Sequence, residues 1–438
     1  MEKSAQLIHD RRGGHSSGAS SREPARDAPL EWRALGGSRE AELSYAAPFA
    51  GLKVIDLSQG IAGPYCAMLL AQYGADVIKV ESIGDGDWSR ALGTRYGDHT
   101  AYSITGNLGK RSVALNLKTT EGKEVLWRLL RGATVFLEGF RPGVIKRLGF
   151  DYDTVAAREP RLVYVSISGF GQTGPLAERP AMDPVLQAYT GLMVENRGED
   201  GVPHRVPVIV VDMSTALYAF QALSAALYAR RDEPRGRFID VSLMQAATAL
   251  QSIRMMACHL EGGTMRPGGV PGGVFRTADG WISIVAINDR DWQALCGAMD
   301  MPQLAVDERY VDPAARFRNQ DALYAIIRPA IAAKSSAALA ERLAAARIMH
   351  ERPNSYADFL AQPQVKATNL IQWLTQPGVP QPVPLPALPG TTTLVDGSPA
   401  ATAPVCGQHT DAVLREHGYS GDEIAALVAR GAIPGGGS

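Results

Sequence analysis

The feature that most constrains this chain is a strand, a glycine-bearing turn, a helix and a second strand, all within residues 52–81. LKVIDL (52–57) reads as a short apolar strand. SQGIAGP turns the chain, with Pro64 suited to the first position of a helix. PYCAMLLAQY (64–73) reads as that helix, Gly74 as its C′ stop, and DVIKVE (76–81) as the next strand. Such a unit predicts two parallel strands joined by a right-handed crossover. The pattern recurs. RSVALNL (111–117), TVFLEGF (134–140) and RLVYVSIS (161–168) read as strands, separated by the helices TTEGKEVLWRLLRG and RPGVIKRLG and one beginning near Tyr152. Repeated alternation of this kind predicts an α/β domain with helices on both faces of its sheet.

Beyond residue 168 the sequence predicts a loop (GFGQTGP), a helix over AMDPVLQAYTGLM, a buried strand PVIVVD (207–212) and a long helix from Met213. GRFIDVSLMQAATALQSIRMMACHL adds a strand and a helix. The expected organisation is a disordered extension over 1–48, rich in Gly, Ser, Arg and Pro, and the first part of a large α/β domain over 49–262. A Gly-rich loop or linker follows over 263–274, then a smaller α+β domain over 275–361. A Pro-rich connector and return to the large domain fill 362–433, and 434–438 form a flexible tail.

The 44 Lys and Arg against 45 Asp and Glu leave a formal net charge of −1. That balance argues against nucleic acid or an anionic membrane as the main partner, because both demand a basic excess. Four scattered cysteines, Cys66, Cys258, Cys296 and Cys406, argue against a disulfide scaffold or a cysteine metal site, and favour a cytoplasmic protein. No uninterrupted apolar run reaches the roughly 18 residues of a membrane helix. The stretch from Ala216 to Ala229 is broken by Tyr218, Gln221, Ser224 and Tyr228.

Chemistry-bearing motifs are few. The turn Ser58-Gln59-Gly60-Ile61-Ala62-Gly63, with Glu81 ending the second strand, is a partial match to the dinucleotide fingerprint, serine replacing its first glycine. An NAD-dependent oxidoreductase is therefore one reading. The alternative is that Gly60 and Gly63 serve close helix–strand packing. TGNLGKRS matches a phosphate-binding P-loop only loosely. Asp212 ends the apolar run and precedes a helix. It reads either as an N-cap or as a carboxylate at the carboxyl end of a parallel strand, where such sheets bind ligands. In the second case the helix dipole and amides would hold it ionised, and it could attack an activated acyl carbon.

The run GLKVIDLSQGIAGPYCAMLLAQYGADVIKVES resembles the opening of the class III CoA-transferases, the CaiB/BaiF family, to which formyl-CoA transferase belongs and α-methylacyl-CoA racemase is related. KRSVALNLKTTEGK, FLEGFRPGVIKRLGFDY, PRLVYVSISGFGQTGP, DPVLQAYTGLM, GRFIDVSLMQAA and LREHGYSGDEIAAL extend the resemblance in order. It implies a Rossmann-like large domain, a small domain and an interlocked homodimer. It also implies acyl-CoA and a carboxylic acid as substrates, with no metal or tightly bound cofactor. The family's nucleophilic Asp falls on Asp212, and its CoA contacts fall on Ile61, Ala62, Leu115, Asn116, Lys118, Phe140 and Arg147. The family's shielding glycine loop would correspond to PGGVPGGV, which otherwise reads as a linker. Where the racemase has a catalytic histidine this chain has Met182, so CoA transfer is favoured over acyl-CoA epimerisation. Asp183 then reads as a helix N-cap, and His204 and His259 as structural.

Overall fold

The computed structural model describes residues 47–198, 200–263 and 269–435. The extension before residue 47 and the tail from 436 lie outside the described residues. A six-stranded parallel sheet forms the frame: β1 Lys53–Asp56, β2 Asp76–Ser82, β3 Arg111–Leu115, β4 Val135–Glu138, β5 Val163–Ser168 and β6 Phe238–Ser242, in the order β3-β2-β1-β4-β5-β6. The helices connecting and following these strands are α1 Ala62–Gln72, α2 Ala101–Asn107, α3 Thr120–Leu130, α4 Val144–Leu148, α5 Tyr152–Arg158, α6 Asp183–Tyr189, α7 Leu192–Glu195, α8 Val210–Ala229 and α9 Leu243–Leu250. The α/β fold is the one the alternating pattern predicts.

Strand periodicity sends successive side chains to opposite faces, and here both faces are apolar. Val54, Val77, Val135 and Val163 join a core with Leu69 of α1 and Leu223 of α8. Ile55, Ile78, Phe136 and Tyr164 join a second core with Leu126 and Leu129 of α3. That second core also takes Val413 and Leu427 from the C-terminal helices Thr410–Glu416 and Gly421–Ala429. This C-terminal stretch covers the outer edge of β3: the Ser112 and Ala114 N–H groups donate to His409 Nδ1 and Thr410 Oγ1. An unpaired edge is otherwise a template for aggregation.

Three expectations fail. Residues 207–212 are not a strand, because α8 already starts at Val210. The β-branched run favours β structure only weakly, and here it has no neighbouring strand, while a carboxylate from elsewhere in the fold caps its amides as a helix. Gly272–Val274, expected in a loop, belongs to β7 Gly272–Arg276. β7 pairs antiparallel with β8 Trp281–Val285, and β8 with β9 Met349–Glu351, around a third core that includes Phe275, Ile282, Trp292 and Leu323. Residues 264–268 of the Gly-rich stretch lie outside the described residues. Within the Pro-rich connector, β11 Val383–Pro386 pairs with β10 Ile371–Leu374, a two-stranded ribbon whose prolines are tolerated because no further strand needs their amides.

Among the described residues α8 is also the one helix long and apolar enough, by length and composition alone, to cross a membrane. It packs against α1, α9, β5 and β6, and its Ala219, Leu223 and Ala226 lie in the core.

Beneath the β1–α1 turn lies a fully buried ionic network. Lys110 Nζ donates to Asp56 Oδ2 (2.7 Å), the Pro64 carbonyl (2.8 Å) and Asn107 Oδ1 (3.1 Å). Lys79 pairs with Asp87 at 2.8 Å, and Asp87 Oδ1 accepts the Gly60 N–H at 2.8 Å. Burial alone would raise the Asp56 carboxyl, but Lys110 and Lys79 beside it hold it below its usual range. Gly60 is required here: its φ is +83° and a Cβ would meet the Trp88 ring at 2.1 Å. Removing one partner of a buried pair strands the other charge at a cost of about 3–5 kcal/mol. Lys110→Met is therefore expected to lower unfolding stability by about 3 kcal/mol, read as a reduced urea midpoint. An unchanged midpoint would show that the network is not structural.

Candidate active site

The strand order reverses between β1 and β4, and in open parallel sheets the crevice at such a switch point, at the carboxyl ends of the strands, is where ligands bind. A cavity of about 450 Å³ occupies that position. Ile61 comes from the β1–α1 turn and Ala62 from the first turn of α1, Phe140 and Arg141 from the β4–α4 turn, and Arg179 and Met182 from the loop between β5 and α6. Asp212, from the first turn of α8, also lines it.

Asp212 is placed by its neighbour Asp183. One oxygen of the buried Asp183 carboxylate, Oδ2, accepts the N–H groups of Val211 (2.7 Å) and Asp212 (3.1 Å). The other, Oδ1, accepts from Gln187 Nε2 at 2.6 Å. Gln187 is held in turn by the Val206 N–H, which donates to its Oε1 at 2.9 Å. Helix N-termini leave unpaired amides that a carboxylate satisfies well. Asp183 does so for α8, not for its own helix, whose N-cap is Met182 without a side-chain bond. The expected N-cap role is thus found at α8, two helices further along the chain.

This arrangement changes the expected ionisation of Asp212. Burial, and then the charge of Asp183, push its carboxyl up to about 7, against the expectation that the helix terminus would simply hold it ionised. A carboxylate poised near neutrality and poorly solvated is a stronger nucleophile than one in water.

A second buried carboxyl supports the opposite wall. Glu138 ends β4, and its Oε2 accepts the Phe140 N–H at 2.9 Å while Oε1 accepts the Ser166 hydroxyl. Burial pushes Glu138 up to about 7, with the nearby Asp240 adding to the rise against the Ser166 and Phe140 bonds. These bonds shape the turn that carries Phe140 and Arg141 into the cavity.

Of the positions singled out from sequence, Ile61, Ala62, Phe140 and Asp212 meet in this cavity. Leu115 is buried in the second core. Asn116 shapes the turn after β3, its Oδ1 accepting the Lys118 N–H at 3.1 Å and its Nδ2 donating to the Gly431 carbonyl at 3.1 Å. Lys118 and Arg147 are exposed and do not line the cavity. Arg147 extends toward the β4–α4 turn, where a Cβ on Gly143 would lie 3.4 Å from its Nη1. Gln59, Trp88, Arg141 and Arg179 line the site without having been singled out. Arg141 carried a faint signal, as the one charge in the Gly- and Pro-bearing turn FRPG, whereas Arg179 sits between Glu178 and Asp183 in ERPAMD and carried none.

Two alternative motifs are accounted for structurally. Glu81, the would-be ribose acid, is buried and bound to Arg90 at 2.7 Å and to the Ser112 hydroxyl at 2.7 Å. Lys110 of the P-loop-like stretch belongs to the ionic network. Gly63 serves packing, since a Cβ there would come 2.3 Å from Ser58 Cβ.

A family model described as CoA-transferase family III matches residues 49–410. The acetyl-CoA:oxalate CoA-transferase of Acetobacter aceti is 39% identical over 297 residues, covering 66% of this chain and 76% of that protein. The succinyl-CoA:glutarate CoA-transferase of Homo sapiens is 31% identical over 407 residues, covering 91% and 92%. Among solved structures, a CaiB/BaiF family protein from Brucella suis aligns with a TM-score of 0.73 at 32% identity, covering 84% of this chain and 99% of its own. With the switch-point cavity and its aspartate already in place, these matches establish that the chain belongs to CoA-transferase family III.

Proposed function

We propose that the chain moves CoA from an acyl-CoA donor to a carboxylic acid acceptor with Asp212 as covalent nucleophile. A carboxylate oxygen of Asp212 attacks the thioester carbonyl. The C–S bond breaks, CoA leaves as its thiolate, and a mixed anhydride remains on Asp212. The thiolate then attacks the Asp212 carbonyl carbon, expelling the donor acid and leaving an aspartyl-CoA thioester. The acceptor carboxylate attacks that thioester, regenerating thiolate and a new anhydride. Thiolate attack on the acceptor carbonyl finally yields the new acyl-CoA and the free Asp212 carboxylate. Each difficult step is divided in two, and carboxylate and thiolate alternate as leaving groups.

The observation that carries this reading is a carboxyl of ordinary type, pushed up to about 7, at the wall of a cavity at the sheet's switch point. Epimerisation would need a second proton-transfer group across the substrate. The wall where one was expected carries Met182. Ile61, Ala62 and Phe140 would contact the incoming CoA thioester, and the exposed Arg147 and Lys118 would meet its phosphates, with Leu115 and Asn116 on the strand and turn that lead to Lys118. The second chain of a homodimer would complete the enclosure, and a cytoplasmic setting suits a CoA-dependent exchange.

Asp212→Ala is expected to reduce turnover from acetyl-CoA to a carboxylic acid by about a thousandfold or more. Hydroxylamine should convert the activated Asp212 carboxyl to a hydroxamate, expelling the acid or CoA, in the unaltered protein only. Full turnover by the variant would refute the proposal. Because the ionised form attacks, the rate of CoA release in a single acylation should fall as pH drops through about 7. Asp183→Asn removes the neighbouring charge that raises Asp212, so the midpoint of that profile should move to lower pH. A midpoint near 4 in the unaltered protein would contradict the role given to burial and Asp183.

A further inference from the structure

We infer that Arg179 recognises a second carboxylate on the acid that exchanges CoA, so that the acids this site handles are dicarboxylates; the inference rests on the CoA-transfer reading above.

Two arginines, Arg141 and Arg179, line the same cavity as Asp212, which is the one carboxylate among its lining residues. Neither guanidinium has a carboxylate within ion-pair distance or a hydrogen-bond acceptor among the described residues. Arg90, beneath the adjoining turn, is by contrast fully engaged by Glu81. Arg179 is nevertheless placed. Its guanidinium carbon lies over the rings of Phe170 (5.6 Å to the centroid) and Tyr189 (6.0 Å). Those rings support the planar group while its edge N–H donors stay free, and that edge matches a carboxylate in bidentate geometry.

The charge that Arg179 awaits is not Asp212. The Asp212 carboxyl is raised by burial and by Asp183, and no arginine acts to lower it. The reacting carboxylate of the substrate is an anion only as the free acid and loses its charge in the anhydride and the thioester. A cation kept beside such chemistry needs an anion that persists through it. CoA phosphates and a distal carboxylate both qualify. The phosphates lie a whole pantetheine arm away from the thioester, and so away from the wall that Arg179 shares with Asp212. Arg141 shares the β4–α4 turn with Phe140 and faces the expected CoA side. Arg179 stands on another segment, the loop that carries Met182 and runs directly into Asp183.

The test uses the full chain with acetyl-CoA, a donor lacking any second carboxylate, and pairs of acceptors: succinate and glutarate against butyrate. The unaltered protein should prefer the dicarboxylates. Arg179→Gln should lower kcat/KM for succinate or glutarate at least tenfold, the scale of a lost charge-assisted hydrogen bond. The same variant should leave the value for butyrate, the KM for acetyl-CoA and acetyl transfer to Asp212 within about twofold of the unaltered protein. Arg179→Lys should recover part of the loss. Equal losses for both acid classes, a raised KM for acetyl-CoA, or an unaltered protein that prefers butyrate would overturn the inference while leaving CoA transfer standing. Absence of both acetyl-Asp212 and turnover in the unaltered protein would overturn the transfer reading as well.

Discussion

One buried carboxylate, bonded to two backbone amides, determines the rest of this site. Asp183 accepts the N–H groups of Val211 and Asp212, so it starts α8 and fixes where Asp212 stands. A side-chain cap contributes about 1 kcal/mol to a helix, which is modest. Its larger effect is electrostatic. It puts a second acid beside one that is already desolvated, and the two together raise Asp212 toward neutrality. Gln187, bonded both to Asp183 and to Val206, prevents that carboxylate from turning away. The helix start, the position of the nucleophile and its ionisation thus share a single cause.

The sheet supplies the space around it. Because the strand order turns back between β1 and β4, the loops leaving those two strands diverge and open a crevice. Each loop is anchored from below by buried charge or buried acid. Asp87 and Lys79 hold the turn at Gly60, and Glu138 holds the turn at Phe140. Rigid walls of this kind keep a thioester carbon and a carboxylate in register, which is where much of the advantage of covalent catalysis originates.

Much of this was legible from residue pattern. The β1–α1–β2 unit, the stop at Gly74 and the strands around Val113, Phe136 and Val165 follow from periodicity and glycine placement, because both faces of this sheet are apolar. The run 207–212 was not legible, since its β-branched residues favour a strand and the carboxylate that makes it a helix arrives from residue 183. The pairing of Gly272–Val274 and Val383–Pro386 was hidden by their own glycines and prolines. At the site, Asp212, Ile61, Ala62 and Phe140 sit on short motifs next to strand ends. Arg179 belongs to a loop whose relation to the cavity exists only once β5 and α6 are packed, and no local spacing records it.

The most direct measurement follows an oxygen atom. An acceptor acid whose carboxylate carries heavy oxygen is turned over with acetyl-CoA, and the peptide containing Asp212 is then weighed. In the sequence of steps above, the bridging oxygen of the second anhydride comes from the acceptor and stays on Asp212 when CoA takes the acyl group. Heavy oxygen should therefore accumulate in the Asp212 side chain with turnover. If all of it remains in the new acyl-CoA and the released acids, the acceptor never bonded to Asp212, and the account of this aspartate as the covalent centre is wrong.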